Sequence, residues 1–306
     1  MFSSREKDLG RVWKRRFFIL LTAFVLLFSA TSFIVYANYD YIAFKLMISK
    51  FYIYTDTLDE LYKNELHKDT NGNYAKYFDD LAITAVTQKI RALNNDKYTY
   101  LYLPEQLQKY KAEEKEEADQ STWRELTPET VYLKITNFSK YTAKYLSDNK
   151  DSLSKYHNVI IDMRDNYGGD TDALYKMAGM YLPKGSVMST DKLTILSKTY
   201  RSSGQKVFNQ NKIIILQNKN SASSAENFIA ALKDNLTNVT LIGDVTYGKG
   251  IGQFTMDVKN GFAIKATVMK WFTPNGRNIQ GSGIQPDIYY NNEDIVNYAL
   301  KLIEQK

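Results

Sequence analysis

The sequence predicts a mixed α/β protein. It has a largely parallel sheet flanked by helices plus a C-terminal β-hairpin, with a small helical N-terminal section and a transmembrane anchor. Three observations carry that prediction. Between residues 131 and 242 short apolar runs alternate with amphipathic helical stretches, the rhythm of βαβ units whose strands are covered by helices. Asn260-Gly261 separates the runs Phe254–Val258 and Phe262–Phe272, a two-residue hairpin signal. Residues 17–37 contain no charge, and such a stretch forms a helix of about 30 Å, the thickness of a hydrocarbon core.

The elements follow in order. Residues 1–16 carry Arg5, Lys7, Arg11, Lys14, Arg15 and Arg16 against Glu6 and Asp8, a net +4 of the chain's +6. Positive charge before an apolar helix keeps that end in the cytosol and sends the rest outward. The h-region of a cleaved signal peptide runs about 7–15 residues, and this stretch is longer, so an uncleaved anchor over 17–37 is expected. Cleavage is the lesser alternative. Either way the body is extracytoplasmic, and its remaining charge is too balanced to indicate a nucleic-acid partner.

A helical section is expected over 38–108, from Ile53, Leu58, Leu61, Tyr62 and Leu66 and again from Leu81, Ile83, Val86, Ile90 and Leu93 at helical spacing. Residues 109–128, with KAEEKEEADQ at their centre, read as a charged linker or an exposed helix. The α/β body is expected over 129–306. Its strands are Val131–Ile135, Val159–Met163, Ile213–Gln217 and Val239–Ile242; its helices are Tyr141–Leu153, Asp172–Tyr181, Ser224–Asp234 and Ile295–Ile303.

Composition narrows the chemistry. The chain has no cysteine and only two histidines, His67 and His157. A thiol nucleophile and a disulfide framework are therefore excluded, and a histidine-based triad has little material. No metal or organic cofactor is implied.

Four segments hold the residues that could do chemistry. Ser221-Ala222-Ser223-Ser224-Ala225-Glu226 follows an apolar strand and opens a helix, whose first amides and dipole favour negative charge beside Ser223. Thr246-Tyr247-Gly248-Lys249-Gly250 sets a lysine between residues that let the backbone approach closely, with Gln253 placed to orient the amine. An ordinary lysine is protonated at neutral pH, so Lys249 can act as a base only if burial lowers its pKa. Asp162 to Asp170 places Gly168-Gly169 after a buried strand, where free amides can donate to an oxyanion. Phe272 to Ile288, with Pro274-Asn275-Gly276 and Ile284-Gln285-Pro286-Asp287-Ile288, reads as an ordered loop and an extended tail. Alone, each has a plainer reading: a serine helix cap, a surface turn, a βα turn needing positive φ, a loop.

Together, in this order, the four segments resemble the C-terminal processing peptidases, also called tail-specific proteases. The resemblance runs from about Val131 to Ile288, and upstream Asp96-Lys97-Tyr98-Thr99 is similar to the family's Asp-Pro-Tyr-Ser/Thr segment. It implies a serine endopeptidase with a Ser-Lys dyad that acts on protein or peptide substrates. The nucleophile would be Ser223, the base Lys249 and the orienting amide Gln253. The oxyanion donors would be the Ser224 amide and an amide of the Gly168-Gly169 pair. Ser224-Ala225 stands where the family usually has Ala-Ser, so the nucleophile lies between Ser223 and Ser224, with Ser223 favoured by its distance to Glu226. Tyr167 replaces a common proline. Members usually carry a PDZ module before the catalytic core. Here about two dozen residues separate Pro104 from Val131, whereas a domain needs at least about 50. The alternative is a catalytically silent peptide-binding or scaffolding protein on the same fold.

Overall fold

The structure is a computed structural model that describes residues 4–54, 83–84 and 87–305. The helical positions expected at Leu58, Leu61, Tyr62, Leu66, Leu81 and Val86, together with His67, lie outside the described residues.

The fold class is the one the sequence predicts. A six-stranded sheet runs in the order β11-β8-β7-β4-β3-β2. Its strands are β2 (Thr122–Thr127), β3 (Thr130–Lys134), β4 (Asn158–Asp162), β7 (Lys212–Gln217), β8 (Val239–Gly243) and β11 (Ile288–Tyr289). All neighbours are parallel except the β2–β3 edge pair.

Period-two alternation sorts the strand residues onto two faces. Val131, Leu133, Val159, Ile161, Ile213, Ile215, Val239 and Leu241 share a core with α4 (Lys140–Asp148), α5 (Thr171–Gly179) and α6 (Ser224–Asn235). Tyr132, Ile160, Ile214, Leu216 and Ile242 pack against α7 (Ile295–Glu304). Strands apolar on both faces thus lie buried between two helical layers. Each fully buried aliphatic side chain there contributes about 1.5–3 kcal/mol.

The C-terminal hairpin belongs to a second sheet. β9 (Ile251–Asp257) and β10 (Ala263–Phe272) pair antiparallel across a turn at Lys259–Gly261, where Gly261 takes φ 81°. β10 also pairs with β1 (Tyr100–Tyr102) and β5 (Val187–Leu193), and β5 with β6 (Ser197–Arg201). This sheet buries Ile264, Ala266 and Val268 against Phe44, Met47 and Ile48 of α2 (Tyr39–Phe51), together with Tyr52, Ile90 and Leu101.

Before α2 lies α1 (Ser4–Ala37), whose Arg11–Ala37 stretch is long and apolar enough to cross a membrane and is not buried against the protein. The charge-rich segment forms a helix, α3 (Pro104–Asp119), with only Ala118 buried. It docks by its carbonyls: Asn137 Nδ2 donates to Glu114 O at 2.7 Å, and Thr136 Oγ1 donates to Glu117 O. The interval between Pro104 and Val131 is thus occupied by α3 and β2.

Candidate active site

The site forms at the C-terminal edge of the large sheet. Leaving β7, the chain is tied down by Ser221, whose buried hydroxyl donates to Met163 O at 2.8 Å, and by Ala222 N, which donates to Asn166 O at 2.9 Å. Ser223 then adopts φ 58° and ψ −116° immediately before α6. Such a conformation costs a non-glycine residue about 1–3 kcal/mol and persists only where the surroundings impose it. A strained strand-to-helix turn is the geometry that lifts a serine hydroxyl clear of the backbone. The Ser223 side chain makes no capping hydrogen bond, so the plain helix-cap reading does not describe it. By contrast, the Ser224 hydroxyl donates to Gly169 O at 2.8 Å.

The diglycine turn packs directly on this elbow. At Gly168, with φ 99°, an added Cβ would lie 2.9 Å from both Ser223 Cβ and Ser224 N. At Gly169 it would lie 2.1 Å from Phe138 O, so neither position admits a side chain. The Gly168 N–H donates to Asn166 Oδ1 at 2.9 Å. Among the described residues, the Gly169 and Ser224 N–H groups have no protein acceptor; Ser224 directly follows Ser223, and Gly169 follows the Gly168 that packs on it.

Glu226 joins the elbow to the lysine loop. It is fully buried and accepts four hydrogen bonds: from Ser223 N at 2.8 Å, Thr246 Oγ1 at 2.6 Å, Gly248 N at 2.6 Å and Lys249 N at 2.9 Å. Burial pushes its carboxyl pKa up, and the four donors oppose that shift. One carboxylate therefore fixes the backbone of Ser223 relative to the backbone of Lys249.

The loop that read only as ordered clamps the other side of the lysine turn. Gly250 N donates to Gln280 Oε1 at 2.8 Å, Asn278 Nδ2 donates to Gly250 O at 2.7 Å, and Trp271 Nε1 donates to Lys249 O at 2.8 Å. A Cβ at Gly250 would come within 2.5 Å of Gln280 N, which is why the second glycine of the pair is needed.

The Lys249 side chain runs into a pocket of tyrosine and basic groups. Its pKa is brought down to about 8, first by desolvation and then by the neighbouring Lys265 charge. Its Nζ lies 4.3 Å from the centre of the Tyr98 ring. The Tyr98 hydroxyl donates to Tyr247 OH at 3.3 Å, and Lys97 Nζ donates to the same Tyr247 oxygen. Gln253 Nε2 donates to Thr267 Oγ1 at 3.4 Å, and Thr267 Oγ1 donates to Asp96 Oδ1 at 3.2 Å. Among the described residues, Lys249 Nζ makes no hydrogen bond to Ser223 or to Gln253. The loops carrying all the expected site residues converge here, but the amine rests on an aromatic face.

His157 is elsewhere. It immediately precedes β4, at the N-terminal edge of the sheet, and is exposed beside Glu129. Among the described residues no group of acidic or histidine side chains is placed to hold a metal ion. Glu226, Asn166 and Tyr98 are the site residues to which sequence reasoning gave no role. Only Glu226 had a signal, its capping-box spacing from Ser223.

A parallel sheet covered by helices thus brings a strained serine at a strand-to-helix turn, a diglycine loop and a half-buried lysine to one edge. Residues 129–290 match the model of peptidase family S41, and the chain belongs to that family. It is 34% identical over 190 residues to the carboxy-terminal processing protease CtpA of Bacillus subtilis, covering 56% of this chain and 39% of that protein. It is 36% identical over 169 residues to a CtpA-like protein of Staphylococcus haemolyticus, covering 51% of this chain and 34% of that one. The chain thus spans little more than a third of the length of these relatives. The solved structure of a lipoprotein from Streptococcus agalactiae shares the fold, with a TM-score of 0.67, 17% identity and coverage of 89% of this chain and 97% of that one.

Proposed function

We propose that the chain is a membrane-anchored, extracytoplasmic serine endopeptidase of the C-terminal processing type. Protein or peptide substrates are cleaved by a Ser223–Lys249 dyad. The observation that carries this reading is the Glu226 bridge, which ties a strained Ser223 to a half-buried lysine whose pKa is about 8. Ser223 Oγ attacks the scissile carbonyl carbon while its proton passes to neutral Lys249. The Ser224 N–H and an amide of the Gly168-Gly169 pair, for which Gly169 N–H is the unoccupied donor, hold the oxyanion. Collapse returns the proton to the departing amine, and water then hydrolyses the acyl-enzyme by the same route in reverse. Gln253 orients the amine during the cycle, once Lys249 has swung from Tyr98 toward Ser223. No cofactor enters the reaction.

In this reading residues 1–16 are cytoplasmic and 17–37 form the anchor. Residues 38–108 form the N-terminal section, 109–128 connect without a PDZ module, and 129–306 form the catalytic domain. Ser223 rather than Ser224 is the nucleophile, because the Ser224 hydroxyl is engaged with Gly169 O. The silent, peptide-binding alternative draws on one observation, the missing hydrogen bond between Lys249 and Ser223.

The two readings part on turnover and its pH dependence. A lysine with a pKa of about 8 is roughly one-tenth neutral at pH 7, whereas an ordinary lysine is neutral about once in 2,500. The sign follows directly: kcat/KM rises about tenfold per pH unit below pH 8 and levels off above it. The check is cleavage of a peptide library by the 39–306 fragment, mapped by mass spectrometry from pH 5.5 to 9.5 beside Ser223→Ala. Products that are identical for wild type and Ser223→Ala, or a rate flat between pH 6 and 9, would refute the dyad.

A further inference from the structure

We infer that the peptidase is a fixed-height device, selecting scissile bonds that lie within about 36 Å of the outer membrane face. This deepens the proposed function and rests on its anchor and its dyad. The anchor and the body are not joined by a loose tether. Helical hydrogen bonding continues from α1 into α2: Asn38 N donates to Ile34 O at 3.1 Å, and Ile42 N donates to Asn38 O at 3.0 Å. α2 is then sunk in the core of the second sheet through Phe44, Met47 and Ile48.

The turn between β9 and β10 is pinned to the same junction. Lys259 N donates to the buried Asp40 Oδ1 at 2.9 Å, and Lys259 Nζ donates to Ala37 O at 2.9 Å while facing the Tyr36 ring. A cation on the last carbonyl of α1 also suits the negative end of that helix. Tyr36 and Tyr39 are exposed here, as aromatic residues at a membrane–water boundary usually are.

Two rulers lead from this junction to the site. α2 contains 13 residues and rises about 20 Å, and just beyond it Ile53 N donates to Thr267 O, level with Gln253 across the β9–β10 ladder. β9 contains seven residues and spans about 24 Å. Ten backbone steps lead from Lys249 to Lys259, so even a fully extended chain sets the Lys249 backbone no more than about 36 Å from the turn that is bonded to the end of the anchor. Substrates favoured by this geometry are membrane-attached polypeptides cleaved in their juxtamembrane segments, within roughly ten extended residues of the bilayer.

The test uses the full chain in phospholipid vesicles with two single-span reporters. Both carry one 20-residue unstructured segment that is cleaved as a free peptide. In one reporter the segment begins at the bilayer surface; in the other a rigid 40-residue helical spacer raises it about 60 Å. The near reporter is expected to be cut at least tenfold faster than the far one. Inserting 40 Gly/Ser residues between Ala37 and Asn38 is expected to bring that ratio to within twofold of one, with free-peptide cleavage unchanged. Equal cutting of both reporters by the wild type, or a ratio that survives the insertion, overturns the fixed height while free-peptide cleavage still supports the dyad. If no free peptide is cut, or Ser223→Ala cuts equally well, the dyad itself falls and the height selection with it.

Discussion

Ser223→Ala and Lys249→Ala are each expected to lower kcat/KM by at least about 10⁴-fold while leaving thermal unfolding nearly unchanged. Removing one member of a nucleophile–base unit costs about as much as removing the whole unit, so the double variant should be no worse than either single one. Ser223 is half-buried, its side chain makes no capping bond, and its backbone stays bonded to Glu226 whatever the side chain. Alanine therefore removes the hydroxyl without disturbing the elbow. At Lys249 the three backbone bonds, from its N–H to Glu226, from Trp271 Nε1 to its carbonyl, and from Gly250 N to Gln280, likewise survive truncation. Losing a partly desolvated amine removes an unfavourable burial, so stability should hold or rise slightly. Denaturant midpoints measured beside initial rates separate loss of chemistry from loss of fold.

Glu226→Gln is expected to damage both stability and rate. Each carboxylate oxygen accepts two hydrogen bonds: Oε1 from Thr246 Oγ1 and Gly248 N, and Oε2 from Ser223 N and Lys249 N. An amide has one acceptor oxygen, and its NH₂ group must face two donors, at least one of them a backbone N–H. Leaving buried donors unpaired costs about 1–3 kcal/mol each, so a loss of about 2–4 kcal/mol is expected in equilibrium denaturation. The rate should also fall about 10²-fold at full occupancy of substrate, because the elbow and the lysine turn lose their common anchor. A purely structural role would lower Tm without lowering kcat in the folded fraction. Measuring kcat below the transition temperature distinguishes the two.

Much of the site was legible because its chemistry demands unusual residues. Gly168, Gly169, Gly248 and Gly250 stand where a Cβ would collide with backbone atoms or a neighbouring side chain, and glycine pairs at strand ends are visible in any sequence. The parallel sheet was legible for the related reason that Val159–Ile161 and Ile213–Ile215 are apolar on both faces. The second sheet was not. β6 reads Ser-Lys-Thr-Tyr-Arg and is exposed along most of its length, so it carries no alternation to detect. β1 is three residues long and owes its strand state to pairing with β10, a partner more than 160 positions away. Only the sheet's β9–β10 hairpin was read, because Asn260-Gly261 stands between the two runs. The roles of Glu226 and Tyr98 were hidden for a different reason. Each acts on a loop far along the chain, and no local period reports that a carboxylate at 226 will meet amides at 248 and 249.

The position of Lys249 over Tyr98 also has a consequence for the reaction cycle. A cation is attracted to an aromatic face, so this placement favours the ammonium form, while burial and Lys265 favour the amine. In the proposed cycle, a swing from Tyr98 to Ser223 would therefore couple proton loss to alignment.

Treatment of the 39–306 fragment with a serine-directed covalent probe at pH 8.5, followed by proteolytic mapping and mass spectrometry, tests the dyad most directly. The expected result is a single adduct on Ser223, absent in Ser223→Ala and slowed at least about a hundredfold in Lys249→Ala. Labelling at Ser224, or labelling of Ser223 at the same rate with and without the Lys249 amine, would contradict the account.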